Sequence, residues 1–131
     1  MAAQMKMQWK AFAVLTGIGL AVAAVHGLHA GQAKAPPAFV ISNIEVTDPA
    51  KYQKYAEASA AIVATYHGKI LARGGKTVVF DGPTPHRVIL IEFASMVDAQ
   101  HWRVSPEFQK LKSLQQQSST YIESFAIEGA Q

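Results

Sequence analysis

The chain contains no cysteine. Disulfides, thiolate metal sites and a cysteine nucleophile are therefore excluded. Acidic residues are absent before Glu45, while Lys6, Lys10 and Lys34 all lie in that stretch. Charged residues make up only 16% of the chain, and half of it is hydrophobic. That excludes a disordered polymer, which would be poor in apolar residues and rich in net charge. No G-x-S-x-G elbow, phosphate loop or dinucleotide fingerprint occurs, so the chain offers no motif for those chemistries. With 131 residues, the length suits a single folded domain.

The first residues read as an address. Lys6 and Lys10 form a basic start, and Ala11 to Val25 run without a charge. Small residues follow, with Leu28-His29-Ala30 and Gly31-Gln32-Ala33 as cleavage triplets. These are the three parts of a secretory signal peptide. The expected organisation is residues 1–35 as signal and linker and 36–131 as the domain. A periplasmic or secreted location follows. The alternative is an uncleaved anchor, the only membrane attachment expected; a spanning helix needs about 20 apolar residues. Once the signal is set aside, nine basic and nine acidic side chains remain. The balance is neutral and shows no basic stripe, so nucleic acid is not an expected partner.

The domain alternates strand and helix patterns. Ala38 to Val46 is rich in β-branched and aromatic residues and reads as a strand. One face carries Val40, Ser42, Ile44 and Val46; the other carries Phe39, Ile41, Asn43 and Glu45. Asp48 and Pro49 supply a cap and a first helical position. Tyr52, Tyr55, Ala56, Ser59, Ile62, Val63 and Tyr66 then share one helical face. Gly68 is expected to end that helix in the left-handed conformation. Lys69 to Arg73 and Thr77 to Phe80 read as strand, broken by Gly74-Gly75 as a bulge or bend. Asp81 to Pro85 is a turn. Arg87 to Phe93 is the most apolar strand and is expected to be central. Ser95 and Asp98 form a capping box for a helix to about Val104, and Ser105-Pro106 start another. Thr120 to Glu128 alternates as the last strand.

The order β-α-β-β-α-β predicts an α+β, ferredoxin-like fold: a four-stranded antiparallel sheet with both helices on one face. The other face is left bare. Phe39, Ile41, Ile89, Ile91, Phe93, Phe125 and Ile127 cannot all stay wet, so a homodimer packed sheet to sheet is expected.

Four segments, TDPAKYQKYAEA at 47–58, YHGKILARGG at 66–75, RVILIEFAS at 87–95 and HWRVSPEFQKLKSL at 101–114, together resemble the domain-of-unknown-function 1330 family. The resemblance covers Ala38 to about Gly129. It implies the dimeric α/β-barrel form of the fold and supplies no reaction. The wider superfamily includes cofactor-independent monooxygenases, haem-degrading enzymes and chlorite-dismutase-like proteins, an analogy of fold alone. The chain departs from the family pattern at His67, where a second glycine is common, and at Arg103 and Phe108, where tyrosines are common. Gln115 to Gln117 occupies a region where an arginine often stands.

Several side chains are candidates for chemistry. Arg73 reads as an anion clamp, as the ion-pair partner of Glu92, or as a solvated edge charge. Glu92, on a central strand, reads as a general base or as a paired structural acid. His67 reads as a histidine favoured at a helix C-terminus, a pocket base or a metal ligand. Trp102 and Tyr55 read as core or as walls for a flat ligand. Asn43 reads as a substrate-orienting amide or as a partner for a nearby backbone group. No metal or cofactor is expected. The functional expectation is an exported homodimer with a pocket between sheet and helices. The pocket takes an apolar or aromatic molecule with a polar end. Arg73 would hold that end, Trp102 and Tyr55 the ring, and Glu92 or His67 would move a proton. The alternatives are a cofactor-independent monooxygenase or isomerase acting on a small aromatic or quinol-type substrate, and a non-catalytic structural or sequestering module.

Overall fold

The computed structural model describes residues 33–131. The expected signal segment therefore lies, but for its last few residues, outside the described residues. Eight elements follow in order. They are β1 (Ala38–Val46), α1 (Pro49–Thr65), β2 (Gly68–Arg73), β3 (Arg87–Phe93), α2 (Met96–Val104), α3 (Pro106–Lys110), α4 (Lys112–Ser118) and β4 (Ser119–Glu128). The strands form one antiparallel sheet in the order β2-β3-β1-β4. This is the ferredoxin-like arrangement that the element order predicts. Among the described residues, no helix is long and apolar enough to cross a membrane.

Local chemistry sets the helix starts. Asp48 is extended and its carboxylate accepts from the Lys51 amide, with Pro49 next in line. That backbone hydrogen bond holds the Asp48 carboxyl below the usual carboxylate range. Ser95 accepts from the Asp98 amide at the start of α2. Ser105 accepts from the Phe108 amide at the start of α3.

Register decides which residues face the helices. Ala38, Val40, Ser42 and Ile44 of β1 lie opposite Phe93, Ile91, Ile89 and Arg87 of β3. That set forms the inner face. Ala38, Val40, Ile91 and Phe93 pack with Val63, Ala99, Trp102 and Phe108 in one core cluster. Ile44, Tyr52, Tyr55 and Ala56 form a second. The outer face carries Phe39, Ile41 and Leu90, with Phe125 and Ile127 about half exposed at 49% and 53%.

Two expectations fail for identifiable reasons. Among the described residues Thr77 to Phe80 pairs with nothing, and it is exposed, Phe80 to 92%. The ladder ends where the Gly74 amide donates to the Val88 carbonyl. Beyond it, the return segment holds Pro83 and Pro85, which lack the N–H groups a strand partner needs. Inside β2 the irregularity falls between Ile70 and Ala72, ahead of the glycine pair.

The turn after α1 is the second. The left-handed residue is His67, with φ of 57°, and Gly68 is not. Gly68 serves close packing instead: a Cβ there would lie 2.6 Å from Val63 Cγ1 and 2.7 Å from Phe93 Cε1. Gly68→Ala is therefore expected to lose about 1–3 kcal/mol through overpacking. His67→Gly is expected to gain up to about 1 kcal/mol, because a left-handed Cβ is removed at some cost in unfolded-state entropy. Urea unfolding of both variants checks the pair; a loss in His67→Gly would contradict the assignment of strain.

Candidate functional site

The inner face of the sheet and the buried stripe of α1 leave a small, partly open cavity of about 30 Å³. That is room for about one water. Helical spacing brings Tyr52, Tyr55, Ala56 and Ser59 down onto it, and strand alternation brings up Ser42, Ile70 and Arg73. Trp102 and Tyr121 complete the wall. At the β4 edge a groove of about 170 Å³ opens between α2 and the sheet. Gln100, Arg103 and Ser124 give it polar walls, and Val40, Phe125 and Ala126 apolar ones. Trp102 borders both spaces.

The polar groups here are mostly satisfied among themselves. The Tyr55 and Tyr121 hydroxyls lie 3.0 Å apart, and those of Ser42 and Ser124 lie 2.8 Å apart. Burial pushes the Tyr55 phenol far above its ordinary range, and the adjacent Tyr121 adds to the effect. Tyr52 is also raised by burial, with Arg87 opposing. Both phenols stay protonated at neutral pH. Arg103 stacks 4.9 Å over the Phe108 ring and 5.4 Å over the Tyr121 ring. The exception is Trp102: it is 4% exposed, and its Nε1 donor is buried with no hydrogen-bond partner.

The sequence-predicted residues divide between places. Tyr55, Trp102 and the exposed Arg73 do come together around the small cavity. The Arg73 Nη1 donates to the Ala56 carbonyl at 3.3 Å. Glu92 does not join them. It sits on the outer face, opposite Phe39 on β1 and Lys69 on β2, so it is no ion-pair partner for Arg73. There it borders an open hollow near the chain ends, with Lys34, Pro36 and Pro37. His67 stands exposed at the end of α1, its Nδ1 3.7 Å from an Asp98 carboxylate oxygen. Asn43 is also on the outer face, and its amide oxygen accepts from the His86 backbone N–H at 2.9 Å. Among the described residues no group of three His, Asp or Glu side chains is placed to hold a metal.

Sequence reading missed Ser42, Ser59, Tyr121, Ser124 and Arg103 as wall residues. Ser42 and Ser124 carried a usable signal. Each is a small polar residue at an inward position of an otherwise apolar strand, and the two pair directly across β1 and β4.

Comparison with known proteins agrees with this architecture. A search of curated proteins finds no match. Among solved structures, a protein of unknown function from Rhodopseudomonas palustris, RPA0582, is similar, with a TM-score of 0.58 and 14% identity. The match covers 73% of this chain and 84% of that one. SnoaB, a cofactor-independent oxygenase from Streptomyces nogalater, gives a TM-score of 0.54 at 16% identity, covering 74% and 96%. A dimeric protein of unknown function with a ferredoxin-like fold, from Bacteroides fragilis, gives 0.50 at 15%, covering 71% and 96%. At these identities the likeness establishes the fold alone. The profile described as "Domain of unknown function (DUF1330)" matches residues 37–130, nearly the whole described domain, and the chain belongs to that family.

Proposed function

We propose that this protein is exported, pairs as a homodimer through the outer sheet face, and binds a small aromatic or apolar molecule with a polar end. The Trp102 groove receives the ring. The observation that carries the reading is the buried Nε1 of Trp102, unpartnered among the described residues, on a side chain that borders both groove and cavity. A buried donor without an acceptor is costly and unusual. A ligand oxygen admitted from the groove would satisfy it. The groove is smaller than the range usual for ligand sites, which suits a single ring.

Binding without conversion is the preferred form of this reading. The acid–base candidates Glu92 and His67 lie away from the groove, and the phenols lining the cavity are held protonated. A catalytic reading, cofactor-independent oxygenation, draws support from the likeness to SnoaB. Titration with phenol and with 1,4-hydroquinone, followed by NMR of the Trp102 indole N–H, tests the binding. A downfield shift of that proton, absent in Trp102→Phe, is expected with either probe. An unmoved indole signal at millimolar probe refutes the groove assignment. Oxygen uptake with the hydroquinone in the same samples would favour the oxygenase instead.

A further inference from the structure

On the β2 side of the small cavity, where Arg73 lines it, Arg87 stands beside Arg73 on the neighbouring strand, and among the described residues neither has an acid for a partner. Arg73 lies opposite Ile89 and Arg87 lies opposite Ile44, so both point from the inner face toward α1. Among the described residues no carboxylate comes within 4.0 Å of either guanidinium. Residues 1–32 contain no Asp or Glu that could supply one. The two guanidiniums meet α1 one helical turn apart, Arg87 at Tyr52 and Arg73 at Ala56, and a bound anion would offset their mutual repulsion.

Arg87 is held in a fixed pose. Its guanidinium stacks 5.3 Å from the Tyr52 ring centroid on one side. On the other it lies against Gly74, where an added Cβ would come 2.8 Å from Nε. Gly74 has φ of +66°, a left-handed conformation that favours glycine at that position. The Arg87 Nη2 donates to the Arg73 carbonyl at 3.3 Å, which ties the two residues together. Yet among the described residues the buried Arg87 Nε has no partner. A guanidinium clamped in this way has already lost much of its side-chain entropy. Its planar fork suits the paired oxygens of a carboxylate or phosphate.

We infer that Arg73 and Arg87, the latter seated between Tyr52 and Gly74, form an oxyanion site for the acidic group of a small organic ligand. The site takes a carboxylate or a phosphate monoester. It goes beyond the proposed binding function: the arginines stand on β2 and β3 and the groove opens at the β4 edge, so the anion site is separate from the groove.

Isothermal titration of the full-length protein with benzoate, phenyl phosphate and the neutral isostere benzamide tests this. At least one of the two anions is expected to bind tenfold or more tighter than benzamide, and which one identifies the oxyanion. That preference should shrink at high sodium chloride, as charge screening requires. Arg87→Met should abolish it and Arg87→Lys restore part of it, since the charge returns without the fork. If Arg87→Met unfolds, the more exposed Arg73→Met carries the same expectation. Equal binding of benzamide and both anions overturns the inference, as does anion binding unchanged in the arginine variants. So does the failure of both anions to bind at millimolar concentration. The phenol titration is independent of all three outcomes, so the groove can stand or fall separately.

Discussion

Ile41→Asp is expected to turn the proposed sheet-to-sheet dimer into single protomers at micromolar concentration. Ile41 sits at the centre of the outer face, with Leu90 opposite on β3 and Phe125 opposite on β4. The neighbouring row is Glu92, Phe39 and Ile127. An apolar row beside a second that is apolar except for Glu92 forms the kind of patch that marks an interface. The residues beyond, Asn43 and Glu123, are polar and suit a rim. Burying an uncompensated carboxylate at the centre of such a contact costs several kcal/mol, about 4 for a thousandfold weakening. Because Ile41 points away from the helices, the core should be untouched and the protomer should stay folded. Asn43→Asp, at the rim, should weaken association far less. Sedimentation equilibrium reads all three proteins. A wild-type chain that runs as a monomer, or an Ile41→Asp chain that still pairs tightly, refutes the sheet-to-sheet homodimer.

The backbone plan was largely legible in the residues. β1, β3 and the caps at Asp48 and Ser95 fall where the pattern places them, because alternation, proline position and capping are local signals. What failed was information that local patterns do not hold. The stretch from Val88 to Phe93 is apolar on both faces but for Glu92, so no alternation reveals which way the acid points. Only pairing with β1 fixes it: Glu92 falls opposite Phe39, on the face the helices do not cover. Asn43 is carried to that same face by the same register. The Thr77 to Phe80 segment has strand composition, but strandedness depends on a partner, and its own return segment is proline-bearing. At the α1 terminus, glycine's two uses were confused. The flexible conformation went to His67 and the missing side chain mattered at Gly68. The site suffered most, because Tyr55, Arg73, Arg87 and Tyr121 come from four different elements that only tertiary packing brings together.

Trp102 separates stability from binding more sharply than any other position. Trp102→Ala is expected to lose about 3–5 kcal/mol. The ring packs 5.3 Å from Phe93 and 4.7 Å from Phe108, centroid to centroid, in the larger core cluster. Its removal would also merge groove and cavity into one larger void. Trp102→Phe should behave differently. It keeps an aromatic ring against both neighbours but creates a smaller void, an unfavourable change. It also deletes the unpartnered Nε1 donor, whose burial costs about 1–3 kcal/mol, a favourable one. The two nearly cancel, so the phenylalanine variant should stay within about 1.5 kcal/mol of the parent in urea unfolding. If Nε1 awaits a ligand oxygen, the same variant should bind phenol at least tenfold more weakly, or about 1.4 kcal/mol. Stability preserved with affinity lost would mark the indole donor as a recognition group. Stability lost in proportion to affinity would make Trp102 a packing residue and nothing more.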